Sequence, residues 1–275
     1  MTITAADVNK LRQMTGAGMM DCKKALTEAN GDFEKAIDEL RKKGQKVAAN
    51  RSDRDSKEGF VLAKVTADNK SGVVLAINCE TDFVAINADF IKLTNTILDI
   101  AIAKNPTTAD ELKALAFDNN ITIADKLIEQ TGVIGEKLEL TKFGSVEAPF
   151  VLAYIHPGNK LANIVGFSSA VVNADVAKDV AMQVAAMAPV AVDKGDVDAE
   201  TIKREIEVGK EQAREEGKPE DMLEKIAMGK LNKFYKESTL LNQEFIKDNK
   251  KNIAQYLNES EKGLTVTAFK RIALG

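Results

Sequence analysis

From the N-terminus to about residue 45, apolar positions recur in short runs at helical spacing. Val8 and Leu11 make a stripe behind Thr4 and Asp7, which resemble a capping pair, and Gly16-Ala17-Gly18 breaks that helix. A second helix is predicted from about Met20 to Asn30-Gly31, with Cys22, Ala25, Leu26 and Ala29 on one side. Asp32 caps a third, with Phe33, Ala36, Ile37 and Leu40 inward and Lys43-Gly44 as its end. Met19 and Met20 are adjacent, so they cannot both enter one small core and one of them should be exposed. Residues 46–57 turn small, polar and mixed in charge, which reads as a linker that can open as helix.

From residue 58 onward, strand-like runs alternate with helical stretches. Phe60-Val61-Leu62-Ala63-Lys64-Val65 recurs as Phe150-Val151-Leu152-Ala153-Tyr154-Ile155. At the same offset Asn69-Lys70 recurs as Asn159-Lys160, and each copy continues into a second apolar strand, Val73 to Cys79 and Leu161 to Ser168. Each then reaches an Asn-Ala-Asp cap, at Asn87 and at Asn173, that opens an apolar helix. Two similar halves follow, each a hairpin plus helices, so the fold class is α+β. The first half spans 58–140 and the second 141–275, with an insertion at 199–235.

Within the first half, Phe90, Leu93, Ile97, Ile100 and Ala101 face inward on a helix that Lys104-Asn105-Pro106 stops. Thr108 with Glu111 reads as a capping box, and Thr122 opens a helix that ends near Gly132. Leu138 to Phe143 then forms a strand. The helix of the second half runs from Asp175 to Ala188 and stops at Pro189. In the insertion, Ile202, Ile206 and Ala213 give a narrow stripe amid charge, and Glu216-Gly217-Lys218-Pro219 makes a turn into a return helix. This pattern is a charged, projecting antiparallel helical hairpin. A strand-like run from Leu264 to Ile272 closes the chain.

One stretch interrupts this regularity. Val73 to Ile77 reads as a buried strand, a helix pattern resumes at Asn87, and between them stands Thr81-Asp82-Phe83-Val84. Either Phe83 turns back into the core while Asp82 caps a turn, or the carboxylate and ring are presented for binding on a loop held by the scaffold. The second half has Ser169-Ala170-Val171-Val172 at that place, so the scaffold occurs twice and the pair once.

Composition narrows the chemistry. The 275 residues include 38 Lys+Arg against 42 Asp+Glu, a net charge of −4, and aromatics are 5%. Nothing there draws the chain to nucleic acid or to an anionic membrane. No apolar run approaches the roughly 20 residues of a membrane span, and Met1-Thr2-Ile3-Thr4 lacks the basic and apolar start of a secretory signal. Cys22 and Cys79 sit in apolar or helical pattern, as reduced thiols do. The one histidine, His156, lies in the turn His156-Pro157-Gly158-Asn159. No His, Cys and carboxylate cluster has metal-ligand spacing, and no Gly-x-x-x-x-Gly-Lys loop occurs, so no cofactor is expected.

Two motifs carry a family resemblance. Asn78-Cys79-Glu80-Thr81-Asp82-Phe83-Val84 resembles the second signature of bacterial elongation factor Ts, and Leu11 through Leu26, with Arg12, Met19 and Met20 inside it, resembles the first. Their order and separation fit the family, as does the segment layout. Ala76 and Ile86 depart from it, standing where an acidic and a basic residue are expected. The resemblance implies that residues 1–45 form a ubiquitin-associated-like domain and that the hairpin is the family's coiled-coil arm. It further implies a cytoplasmic exchange factor that binds elongation factor Tu in its GDP-bound and nucleotide-free states. Thr81, Asp82, Phe83 and Val84 would then disturb the partner's Mg²⁺ site, and His156 would lie at the partner interface. Two other readings stay open on the residues alone. One is an adaptor that binds a polypeptide through its helical domain, with the duplicated body as a dimerisation scaffold. The other is a thiol enzyme pairing Cys79 with His156.

Overall fold

A computed structural model describes residues 3–118, 121–170 and 172–275 and is α+β. Met1 and Thr2 of the N-terminal stretch, and Val171 of the second-half stretch, lie outside the described residues. The N-terminal helices are α1 (Ala5–Thr15), α2 (Met19–Glu28) and α3 (Phe33–Asn50). Thr4 Oγ accepts from the Asp7 amide at 3.2 Å while the Asp7 carboxylate accepts from the Thr4 amide at 2.9 Å, so the box that opens α1 is reciprocal. Gly16 ends α1 at φ 70°, in the left-handed region where glycine carries no Cβ penalty. Val8, Leu11, Cys22, Ala25, Leu26 and Ala36 are buried together, as their spacing predicts.

Two helix ends differ from expectation for one shared reason. The helix expected to stop at Lys43-Gly44 continues to Asn50, and the one expected to end near Gly132 continues to Ile134. Glycine reads as a stop in sequence, but here both glycines are points of close approach. A Cβ on Gly132 would stand 2.4 Å from Gly44 Cα. Without side chains at that point, α3 lies backbone to backbone on α7 (Ile123–Ile134). The true stop of α7 is Gly135, at φ 81°.

The strands are β1 (Glu58–Val65), β2 (Ser71–Cys79), β3 (Glu139–Glu147), β4 (Phe150–Ile155) and β5 (Leu161–Phe167), then β6 (Glu244–Phe245), β7 (Asp248–Asn252) and β8 (Val266–Ala273). They form sheets ordered β1-β2-β3, β4-β5-β8 and β6-β7. Contacts group the chain into two units by segment rather than by a single cut. One comprises Met1–Leu62, Leu75–Gly144 and Ile272–Gly275; the other comprises Ala63–Val74 and Ser145–Arg271. Val165, Phe167, Val180, Val184, Leu240, Ile253 and Leu257 make the core of the second unit.

The repeated hairpins share their turn down to the hydrogen bonds. In the first, Thr66 donates to Ser71 and Asn69 to Thr66, both at 2.9 Å. In the second, His156 donates to Leu161 at 2.9 Å and Asn159 to His156 at 3.0 Å. Asn69 and Asn159 take φ of 55° and 54°, a left-handed conformation asparagine tolerates better than most residues.

The helices after the hairpins, α5 (Ala88–Lys104) and α8 (Ala174–Met187), are also a pair. Asn87 and Asn173 cap them through side-chain oxygens. Along α5, Leu98 is buried and Ile100 is half-buried, the reverse of the expected order, because the apolar stripe is wide enough to turn slightly. Both helices end in a left-handed residue before proline: Asn105 at φ 48° and Ala188 at φ 43°. For alanine that conformation is strained by about 1–2 kcal/mol. Ala188→Asn, which copies the first half's solution, is expected to raise stability by about 0.5–1 kcal/mol, a shift of a few degrees in a thermal melt. An unchanged or lower midpoint would show that the strain is not there.

The insertion is a helical hairpin of α9 (Ala199–Glu215) and α10 (Leu223–Ser238). Gly209 meets Ala227 closely, a Cβ there falling 3.2 Å from the Ala227 Cα, and Lys210–Glu224 and Lys230–Glu216 pair across the hairpin at 2.8 and 3.1 Å. Among the described residues, no helix is long and apolar enough to cross a membrane.

Candidate functional site

Strand β2 is buried from Gly72 to its last residue, Cys79, and the chain then surfaces. In place of the expected loop, Asp82–Ala85 is one turn of helix, α4. Thr81 is its N-cap, the hydroxyl accepting from the Val84 amide at 3.4 Å. Ala85 is the residue of this turn that goes inward. At about 100° per residue, the side chain two positions earlier points nearly opposite. That residue is Phe83, and it is 79% exposed. The reading in which the ring returns to the core is therefore wrong for this fold. Asp82 is exposed, Val84 is half-buried, and Ile86 beyond the turn is 75% exposed.

The approach to α4 is held by groups distant in sequence. The Glu136 carboxylate accepts from the Glu80 amide at 3.2 Å, the Thr81 amide at 3.0 Å and the Thr81 hydroxyl at 2.7 Å. Glu80 in turn accepts from the Lys137 amide at 2.7 Å and from Arg51 Nη1 at 2.7 and 2.9 Å. Burial pushes the Glu80 carboxyl up, but the Lys137 amide and the Arg51 guanidinium outweigh it and hold it below the ordinary glutamate range. Lys137 Nζ also donates to the Ser52 carbonyl at 3.0 Å. None of these partners was visible in the sequence. Glu136 and Lys137 stand between two elements, where charge is ordinarily solvated.

Cys79 does not suit nucleophilic chemistry. Burial, reinforced by the charges of Glu136 and Glu58, pushes its thiol up to about 12, so it stays protonated and donates to the Thr81 carbonyl at 3.1 Å. The thiol is also fully buried at the end of β2, out of a substrate's reach, and the thiol-enzyme reading loses its nucleophile there. Among the described residues, no group of three His, Cys, Asp or Glu side chains could hold a metal ion.

In the helical segment Arg12 is exposed on α1, and Met19 and Met20, in the first turn of α2, are 56% and 75% exposed. One exposed methionine was expected and two are found. Cys22 and Ala25 fill the small core, and the first turn of α2 is left outside it. In the second unit, His156 is exposed in the β4–β5 turn, its Nδ1 3.1 Å from the Tyr154 hydroxyl. With Tyr154, Leu161, Met182 and Ile246 it lines a pocket.

Comparison with known proteins gives a consistent outcome. The family model described as "Elongation factor TS" matches residues 80–275. An elongation factor Ts from Cytophaga hutchinsonii is 57% identical over 275 residues, covering 99% of this chain and 99% of that protein. Those from Christiangramia forsetii and Flavobacterium psychrophilum are each 56% identical, covering 99% and 100% of this chain and 99% of each relative.

Proposed function

The chain belongs to the elongation factor Ts family, and we propose from that premise that it is the guanine-nucleotide exchange factor of elongation factor Tu, acting in translation elongation. It performs no bond chemistry. It binds the GDP form of its partner, prefers the nucleotide-free form, and so lowers nucleotide affinity by the same factor by which nucleotide lowers its own. Incoming nucleotide then expels it.

One observation carries this reading: Phe83 and Asp82 stand exposed on a single capped turn at the end of a buried strand. An exposed phenylalanine gains about 2 kcal/mol when a partner covers it, and its ring is stiff enough to displace packed elements. Beside the partner's metal, Thr81, Asp82, Phe83 and Val84 shift the supports of Mg²⁺. That ion demands near-ideal octahedral oxygen geometry, so a small displacement weakens it strongly. Residues 1–45 serve as a ubiquitin-associated-like docking domain that offers Arg12, Met19 and Met20. The methionines make a soft, adaptable contact. His156 contributes from the second of two duplicated halves.

The test is release of fluorescent GDP from elongation factor Tu, chased with excess unlabelled GDP, with and without this protein. Acceleration by catalytic amounts supports the reading. No acceleration at any concentration would leave the adaptor that binds a polypeptide through its helical domain, with the duplicated body as a dimerisation scaffold, as the better account.

A further inference from the structure

Phe83 is not held by its own packing, since most of its ring is in solvent. Its direction comes from the backbone of α4, which Ala85 anchors from inside and residues 80–81 hold at its entry. We infer that Glu136 is the positioning residue for Phe83, acting through a reciprocal clasp between residues 80–81 and 136–137. The inference rests on the proposed wedge role of the ring.

The geometry has two arms. In one, the Glu136 side chain takes the Glu80 amide, the Thr81 amide and the Thr81 hydroxyl. In the other, the Glu80 side chain takes the Lys137 amide and the Arg51 guanidinium. Each carboxylate thus closes on a backbone amide of the opposite segment, and charge-assisted bonds of this kind are roughly twice as strong as neutral ones. Glu136 also holds the Thr81 hydroxyl, which receives the Val84 amide and so starts the helical turn. Rotating Thr81 away would free that turn and swing the ring. Arg51 is the C-terminal cap residue of α3, so the clasp also ties the wedge to the end of the helical segment that carries the methionines. A side chain that must push on another protein works only if its own support is stiffer than its target.

The experiment measures GDP release from elongation factor Tu across a range of factor concentrations, separating the maximal rate from the half-saturating concentration. Glu136→Ala is expected to lower the maximal rate about tenfold, because a misplaced group of this kind costs one to two orders of magnitude. The half-saturating concentration should move by less than about threefold, since the docking surfaces are untouched. Glu136→Gln should recover most of the rate. Its amide oxygen still accepts from the two backbone amides, and its NH₂ can donate to the Thr81 hydroxyl. A wild-type maximal rate for Glu136→Ala, a loss confined to half-saturation, or equal losses for Ala and Gln would overturn the assignment. If Glu136→Ala melts early, Thr81→Val, which removes the hydroxyl arm of the clasp together with the N-cap of α4 but keeps both backbone arms, must show the same split between rate and half-saturation. Phe83→Ala is run alongside. If it too releases GDP at the wild-type rate, the wedge reading itself fails; if it is slow while Glu136→Ala is not, only the clasp fails.

Discussion

Phe83→Ala is expected to slow factor-catalysed GDP release from elongation factor Tu by about ten- to hundredfold while the protein's own melting temperature stays put. The size follows from the burial proposed for the ring in the partner, about 2–3 kcal/mol, with each 1.4 kcal/mol worth a factor of ten. The unchanged melt follows from its 79% exposure, which leaves little native packing to lose. Affinity for GDP-bound elongation factor Tu should fall much less than the release rate, because the docking proposed for the helical segment and the second half is left intact. Stopped-flow release and a titration, read together, check both parts. Equal release rates for the two proteins would end the wedge reading, whatever the affinity.

Gly132→Ala is expected to cost several kcal/mol in stability. The new Cβ would stand 2.4 Å from Gly44 Cα, which is backbone and cannot swing aside. Helices α3 and α7 must then separate, at a cost of about 3 kcal/mol once the gain in helix propensity is set against the clash. For a chain of this size that lowers the melting midpoint by on the order of 5–10 °C. Gly229→Ala is the control. Gly229 lies inside α10 with nothing within 4 Å of its added Cβ, so the same change there should stabilise by about 0.5–1 kcal/mol. Gly44→Ala should fall between, its nearest neighbour being the Ile128 carbonyl oxygen at 3.4 Å. Melts that move together for Gly132→Ala and Gly229→Ala would show that propensity rather than contact governs these sites.

Those glycines also mark where sequence reasoning stops. Periodicity placed the helices, the duplicated hairpins and the inserted helical hairpin, because each has a strong apolar pattern or a capping residue such as Thr4, Asp32, Asn87 or Asn173. It misread Gly44 and Gly132, since a glycine that ends a helix and one that admits a neighbouring backbone look the same in one dimension. Thr81 to Val84 stood out because the duplication made its singularity visible. Whether the ring faced in or out was not legible. That depended on the chain forming a single helical turn with Ala85 as its inward residue. Glu136 was invisible for a different reason. Its partners lie more than fifty residues away in sequence, and only the pairing of β2 with β3 brings the two segments together.

The measurement that bears most directly on the central claim compares wild type and Phe83→Ala for GDP release in excess Mg²⁺ and again in excess chelator. If the ring acts by disturbing the partner's metal, the advantage of wild type is large with Mg²⁺ and shrinks toward parity once the metal is gone, because chelation has already done what the wedge does. The same ratio with and without Mg²⁺ would contradict the claim and place the ring's action elsewhere in the nucleotide site.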